Sequence, residues 1–228
     1  MIDETARISS KAIIGKNVSI GPWTIVGPDV VVGEGSEIGS HVVLKGPTVL
    51  GSNVKVFQFS TVGEGTPALA YDGESTSLEI GEGTVIREGV TIHRGTLGRG
   101  TGCTIVGKNC LLMAYVHIGH DCRLGDRVIM ANNASVAGHV VVGDYANFGG
   151  YSGVPQFRSI GENTHIAAMS LVTKDVPAFM TVAGNPASAV GLNLEGIRRR
   201  DFSTDALAAL KESHKIVYRS GLTKNKAL

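Results

Sequence analysis

From residue 106 onward the chain reads Val106-Gly107, Leu112, Ile118-Gly119, Leu124-Gly125, Met130, Val136, Val142-Gly143, Phe148-Gly149, Val154, Ile160-Gly161, Ile166 and Val172. A large apolar residue stands at every sixth position, and glycine often follows it. The same beat fills the N-terminal part: Ile8, Ile14-Gly15, Ile20-Gly21, Val26-Gly27, Val32-Gly33, Ile38-Gly39, Leu44, Leu50-Gly51, Val56 and Val62-Gly63, then Ile80-Gly81, Ile86 and Ile92. Roughly 25 repeats at one fixed period are the signature of a solenoid. A sandwich of ordinary strands would instead show turn signals at spacings of about 8–12 residues with varied loops.

The pattern predicts a mainly β fold, a parallel β-helix of hexapeptide repeats. Each unit is a short strand whose apolar residue points inward and stacks on its equivalents one coil above and below. With three strands per coil, the repeats make roughly eight coils. Gly, Ala and Ser are expected at the corners, where positive φ or close backbone approach is needed. Two interruptions, at about 64–79 and 94–105, read as loops thrown out of a continuing coil; the first keeps the phase and the second shifts it by two. Such insertions protrude on one face, often the binding face. The helix is expected to occupy residues 1–192, followed by a short helical region over 193–228. There, Ser203-Thr204-Asp205 offers an N-cap, Leu207, Leu210, Val217 and Tyr218 share an apolar face, and Gly221 suits a C-cap.

Composition narrows the function. Glycine, at 31 of 228 residues, is about twice its usual share of roughly 7% while proline is ordinary at 7, which fits corners rather than a low-complexity tract. A net charge of +1 argues against a general nucleic-acid binder. No apolar run reaches the roughly 20 residues of a membrane span, so an integral membrane protein is not expected. The opening Met1–Arg7 has no basic and apolar leader pattern, and Cys103, Cys110 and Cys122 form no CxxC, so a cytoplasmic protein with free thiols is expected. Past Asn193 the chain is locally basic.

Two clusters carry chemistry. His117-Ile118-Gly119-His120-Asp121-Cys122 places two histidines and a carboxylate where a coil normally takes small residues. A histidine is the natural general base near neutral pH, and a neighbouring carboxylate can orient its ring. A polar solvated corner is the competing reading. A zinc site from His93, His117, His120, His139 and His165 lacks ligand spacing. Arg198-Arg199-Arg200, preceded by Asn193 and Glu195, suits a phosphate, or else the solvated start of a helix. Gly98-Arg99-Gly100-Thr101-Gly102 reads as a flexible loop.

Together with the repeat, four segments occur in order: Ile92-His93-Arg94-Gly95-Thr96; His117 to Cys122; Ala131-Asn132-Asn133-Ala134 with Ala137-Gly138-His139; and Asn193-Leu194-Glu195-Gly196-Ile197-Arg198-Arg199-Arg200. Over nearly its whole length the chain resembles the UDP-N-acetylglucosamine 3-O-acyltransferase family of lipid A biosynthesis. The resemblance implies a left-handed parallel β-helix, a homotrimer with sites between subunits, and transfer of a 3-hydroxyacyl group from acyl carrier protein to a UDP-sugar, without metal or other cofactor. It makes His120 the general base, Asp121 its partner and Gly138 the oxyanion donor. His117, His139 and Gln156 would line the cleft, with Asn193, Glu195, Arg199 and Arg200 around the pantetheine arm or nucleotide. Ala168, beside Met169, falls at the acyl-length ruler, where a side chain larger than glycine's implies a shorter chain than the family's longest. Three departures stand out: Ala68 and Ala70 replace an acidic residue and a lysine, Pro155 precedes Gln156 where histidine is common, and the C-terminal region is short. They leave room for a modified acceptor, such as a 3-amino sugar. An acetyl-CoA-dependent sugar acetyltransferase of the same fold is the alternative.

Overall fold

The computed structural model describes residues 1–69, 71–98 and 100–222; Ala70, Arg99 and 223–228, on which parts of the sequence reading fall, lie outside it. Strands of two to six residues wind into three parallel sheets. Among the described residues, sheet one has eight strands from Arg7–Ile8 to Gly153–Val154, and sheet two has eight from Ile13–Ile14 to Ser159–Ile160. Sheet three has ten, from Ser19–Ile20 to the antiparallel pair Met180–Gly184 and Ala187–Leu192. Outside the two excursions partners in adjacent coils differ by 18 residues, as Arg123 pairs with Val141, until the last coil, where His165 pairs with Thr181 at 16. The cross-section is a three-sided prism.

Every sixth apolar residue from Ile20 to Val172 is buried, each contributing roughly 1.5–3 kcal/mol relative to exposure. A second inward position lies two residues earlier. Val18, Val30, Val42, Val54, Val90 and Val116 fill it on some strands, and Thr24, Ser36, Ser60 and Thr84 on others. The hydroxyls donate to corner carbonyls, Thr24 to Gly39 at 2.6 Å and Ser60 to Arg87 at 2.8 Å, which is how polar residues are accommodated inside. Cys110 and Cys122 occupy the same position, and burial pushes their thiols up to about 11 and about 12.

The corners correct one expectation. Positive φ falls three residues before most inward apolar residues, and larger side chains hold most of these places: Asn17, Trp23, Asn53, Tyr115, Asp121, His139 and Phe157 among them. The repeat glycines instead permit close approach, since a Cβ on Gly15 or Gly21 would sit 2.7 Å from the next coil's backbone nitrogen.

Both excursions leave the edge between sheets one and two and are shorter than the sequence implies. Strand Ser77–Ile80 already pairs with its neighbours, and Cys103–Val106 rejoins the coil, leaving 65–76 and 94–102 as loops. After Leu192 come helix α1 (Leu194–Arg198) and helix α2 (Thr204–Arg219). Ser203 caps α2 by accepting from the Ala206 N–H, and Gly221, at φ +69°, follows its last residues. No residue of α2 is fully buried.

Candidate active site

Three columns of corner residues, each repeating every 18 positions, sort the candidate residues. The column between sheets one and two holds His120, Gly138 and Gln156, and one residue further on Asp121, His139 and Phe157. His120, Gly138 and Gln156, with loop residues Thr66, Pro67 and Ala68 and with His93 and His117, line an open cleft of about 230 Å³, whereas His139 packs behind it against His120.

His120 is the centre of this cleft. Its Nδ1 lies 2.8 Å from Oδ2 of Asp121, whose side chain is wholly buried. The remaining ring nitrogen, Nε2, lies over the Cα of Gly138: a Cβ there would meet ring atoms Cε1 at 2.6 Å and Cδ2 at 2.9 Å, with Nε2 closer still. Since ionised Asp121 accepts only, Nδ1 is the donor of this pair, and in the neutral ring the lone pair is then on Nε2.

Asp121 is held by the second loop. Oδ2 accepts from the Thr96 N–H at 3.0 Å and the Thr96 hydroxyl at 2.7 Å; Oδ1 accepts from the Thr101 N–H at 2.8 Å and the Gly102 N–H at 3.2 Å. Burial works to raise this carboxyl, but the hydrogen bonds from His120, Thr96 and Thr101 outweigh it and hold it below the usual value. The glycine-rich stretch read as a flexible loop is therefore a cradle for a buried anion.

Neighbouring rings fix the rest. His139 stacks on Phe157, centroids 4.5 Å apart, and meets His120 edge-on at 4.8 Å. His117 Nδ1 is 2.8 Å from the Thr91 hydroxyl, and its ring meets His93 edge-on at 5.0 Å. Burial, helped by the neighbouring His117, lowers His93 to about 4, and burial likewise lowers His117 and His139. His120, Asp121 and His139 are close enough to suggest a metal, but both Asp121 oxygens are already occupied by donors.

The other predicted residues lie on other edges. Asn193 caps α1 through its Oδ1, donates from Nδ2 to the Asn163 carbonyl at 2.8 Å, and so ties α1 to the column between sheets two and three. Glu195 pairs with Arg198 and Arg199, while Arg200 lies 3.8 Å over the Tyr145 ring in that same column. Ala168 and Met169 belong to the third edge, between sheets three and one. A ridge of apolar residues runs along it: Trp23, Phe59, Tyr115, Tyr151 and Met169 are 62–70% exposed. One chain thus brings the His120 group together but leaves the arginine group and Ala168–Met169, the expected ruler, apart from it. Reading single residues missed Thr91, Thr96, Thr101 and Phe157. The 18-residue column would have found Phe157, which follows Asp121 and His139 at that interval.

A histidine–carboxylate pair at the corner of a hexapeptide β-helix defines the class of hexapeptide-repeat transferases. Comparison with known proteins narrows this. The bacterial transferase hexapeptide model matches residues 11–46 and 103–138, and the model of the second domain of UDP-N-acetylglucosamine O-acyltransferase matches 175–228. The acyl-[acyl-carrier-protein]–UDP-N-acetylglucosamine O-acyltransferase of Pseudomonas savastanoi pv. phaseolicola is 55% identical over 98% of this chain and 86% of its own length. Among solved structures, the Acinetobacter baumannii enzyme is 46% identical, with TM-score 0.96 over 99% of this chain and 87% of its own. The Moraxella catarrhalis UDP-N-acetylglucosamine O-acyltransferase is 44% identical, with TM-score 0.97 over 99% and 88%. The chain belongs to the UDP-N-acetylglucosamine O-acyltransferase family, and its fold is the left-handed parallel β-helix of hexapeptide repeats.

Proposed function

We propose that the protein transfers a 3-hydroxyacyl group from acyl carrier protein to the 3-position of UDP-N-acetylglucosamine or a closely related UDP-amino sugar, the first step of lipid A biosynthesis. The observation that carries the reading is the His120 ring, fixed on Asp121 with Nε2 free in the cleft, in a chain 55% identical to an enzyme named for that reaction. Nε2 takes the proton of the sugar 3-hydroxyl as its oxygen attacks the thioester carbonyl carbon. The Gly138 N–H, which donates to no group among the described residues, receives the oxyanion; such a donor is typically worth about 2.7–4 kcal/mol. Collapse expels the pantetheine thiolate, which takes back the proton from His120. No metal or covalent enzyme intermediate enters. Relatives between 52% and 55% identical, all named for carrier-protein donors, weigh against the acetyl-CoA alternative.

The active assembly is a homotrimer. The exposed ridge from Trp23 to Met169 is a surface that monomers seldom leave bare, and head-to-tail packing about a three-fold axis presents different edges of two subunits to each other. That geometry joins His120 of one chain to the ruler and arginine groups of neighbours. A groove between α2 and the last strand, lined by Lys211, His214, Lys215 and Arg219, suits the acidic surface of a carrier protein. Acting on a nucleotide sugar and a carrier-protein thioester, the enzyme works in the cytoplasm. Because Thr66, Pro67 and Ala68 give the cleft an uncharged wall, both a 3-hydroxyl and a 3-amino acceptor merit testing.

The test is mass spectrometry of products from the purified protein, with UDP-N-acetylglucosamine or its 3-amino analogue and a series of 3-hydroxyacyl carrier proteins. Product that vanishes in His120→Ala supports the reading and identifies acceptor and chain length. Silence with every carrier-protein donor, alongside turnover of acetyl-CoA, would overturn it.

A further inference from the structure

Three residues of the loop over 94–102, Thr96, Thr101 and Gly102, turn donors onto one carboxylate. Thr96 gives both its N–H and its hydroxyl to Oδ2 of Asp121, the same oxygen that faces His120 Nδ1. Thr101 and Gly102 give their N–H groups to Oδ1, and the loop closes on itself through Gly102 N–H to the Thr96 carbonyl at 2.9 Å. The glycines are part of the fit: a Cβ on Gly95 would sit 2.9 Å from Asp121 Oδ1, and one on Gly100 2.6 Å from it. The loop is tied down outside the cradle, where Arg94 N–H donates to the Glu64 carbonyl and Leu97 N–H to Glu74.

We infer that Thr96 is a positioning residue for the transfer reaction: its paired donors fix the Asp121 oxygen that orients His120 and share that oxygen's charge with the ring. Two consequences follow from elementary electrostatics. With Oδ2 pinned, the ring can turn only if it gives up its Nδ1 hydrogen bond, so Nε2 stays aimed at the acceptor. With Oδ2 already donated to twice, the carboxylate pulls less strongly on the imidazolium that forms during transfer, so the ring gives its proton back more readily to the leaving thiolate. The inference rests on the acyl-transfer reading only for its kinetic consequence; the cradle itself can be read without turnover.

The experiment compares Thr96→Val, which removes the hydroxyl and keeps the N–H, with Thr96→Ser, which restores it. We expect kcat/KM to fall about tenfold in the valine variant with KM for the sugar nucleotide nearly unchanged, as for a lost transition-state contact, and serine to recover most of the loss. The acidic limb of the pH–rate profile should move up by roughly half a unit, because Oδ2 then attracts the imidazolium more strongly. The titratable groups facing the pair are His93, His117, His139, Glu74 and Cys122, and Thr96 hydrogen-bonds to none of them among the described residues. Independently, the downfield Nδ1–H proton of His120, read by NMR, should move further downfield in Thr96→Val as its bond to Oδ2 strengthens. Should the valine variant unfold, Thr96→Ala gives the same readouts with less bulk. An unmoved NMR resonance in a folded variant overturns the inference, as does an unmoved acidic limb or a serine variant as impaired as valine. A wild-type protein inert toward every carrier-protein donor would sink the acyl-transfer reading and leave the NMR test standing.

Discussion

Gly138→Ala separates the two things that position does. The added methyl would lie 2.6 Å from His120 Cε1 and 2.9 Å from Cδ2, whereas comfortable carbon contacts are about 3.5–4.0 Å, so the ring must retreat by roughly 1 Å. A misplacement of that size costs about a hundredfold in rate, or about 2.7 kcal/mol at about 1.36 kcal/mol per tenfold. If the ring instead swings off Asp121, it forfeits a charge-assisted hydrogen bond worth about 1.5–3 kcal/mol, so both escapes cost about the same. Backbone strain adds nothing, because Gly138 is not among the residues with positive φ. The alanine N–H remains available to an oxyanion. We therefore predict that kcat falls about a hundredfold while Tm moves by no more than a few degrees and binding of the UDP-sugar changes little. Steady-state kinetics, thermal melts and calorimetric titration on one preparation decide it. A variant retaining a third or more of wild-type kcat would show that the ring has room to spare, and the steric argument for His120 placement would fail.

Asn193→Ala removes the α1 cap and the tie to the Asn163 carbonyl together, so urea unfolding should show a loss of about 1–2 kcal/mol. Folded His93 resists protonation down to about 4, while its unfolded value is near 6.5; the unfolded chain therefore binds the extra proton first, and stability falls as pH drops from about 6.5 toward 4. Thermal melts at pH 7.5 and 5 should accordingly show a smaller difference for His93→Gln than for wild type. If Ala168 acts as the proposed ruler, Ala168→Gly should shift product mass spectra with mixed donors toward longer acyl chains; an unchanged distribution removes Ala168 from that role. Finally, equal mixing of His120→Ala and Arg199→Ala chains through unfolding and refolding should restore activity at about a quarter of sites if each site draws on two subunits, and at none if it lies within one chain.

The six-residue period made the coil legible because burial in a solenoid is strictly positional: each inward side chain has a fixed address, and the sequence repeats it. The second inward address was hidden because it accepts Val, Cys, Ser and Thr alike. Its chemistry is set by whether a hydroxyl can reach a corner carbonyl, as Thr24 reaches Gly39, and hydropathy does not register that. The corner glycines misled for a related reason. Their role is the nearness of the next coil's backbone, a property of stacking that no single repeat contains.

The site follows the same logic at the next level. His120, Gly138 and Gln156 are separated by one coil of 18 residues each, as are Asp121, His139 and Phe157, so the sequence does place this candidate column on one edge once the coil length is known. Ala168 is 48 residues beyond His120, which is not a whole number of coils, and the same arithmetic puts it on another edge. A prism cannot bend one edge onto another, because each inward layer is packed against the next. The identity of the Asp121 cradle was out of reach for the opposite reason: the second excursion breaks the period, and inside a break the sequence carries no addresses. What the repeat makes rigid it also makes readable: within one chain the His120 column and Ala168 are held on separate edges.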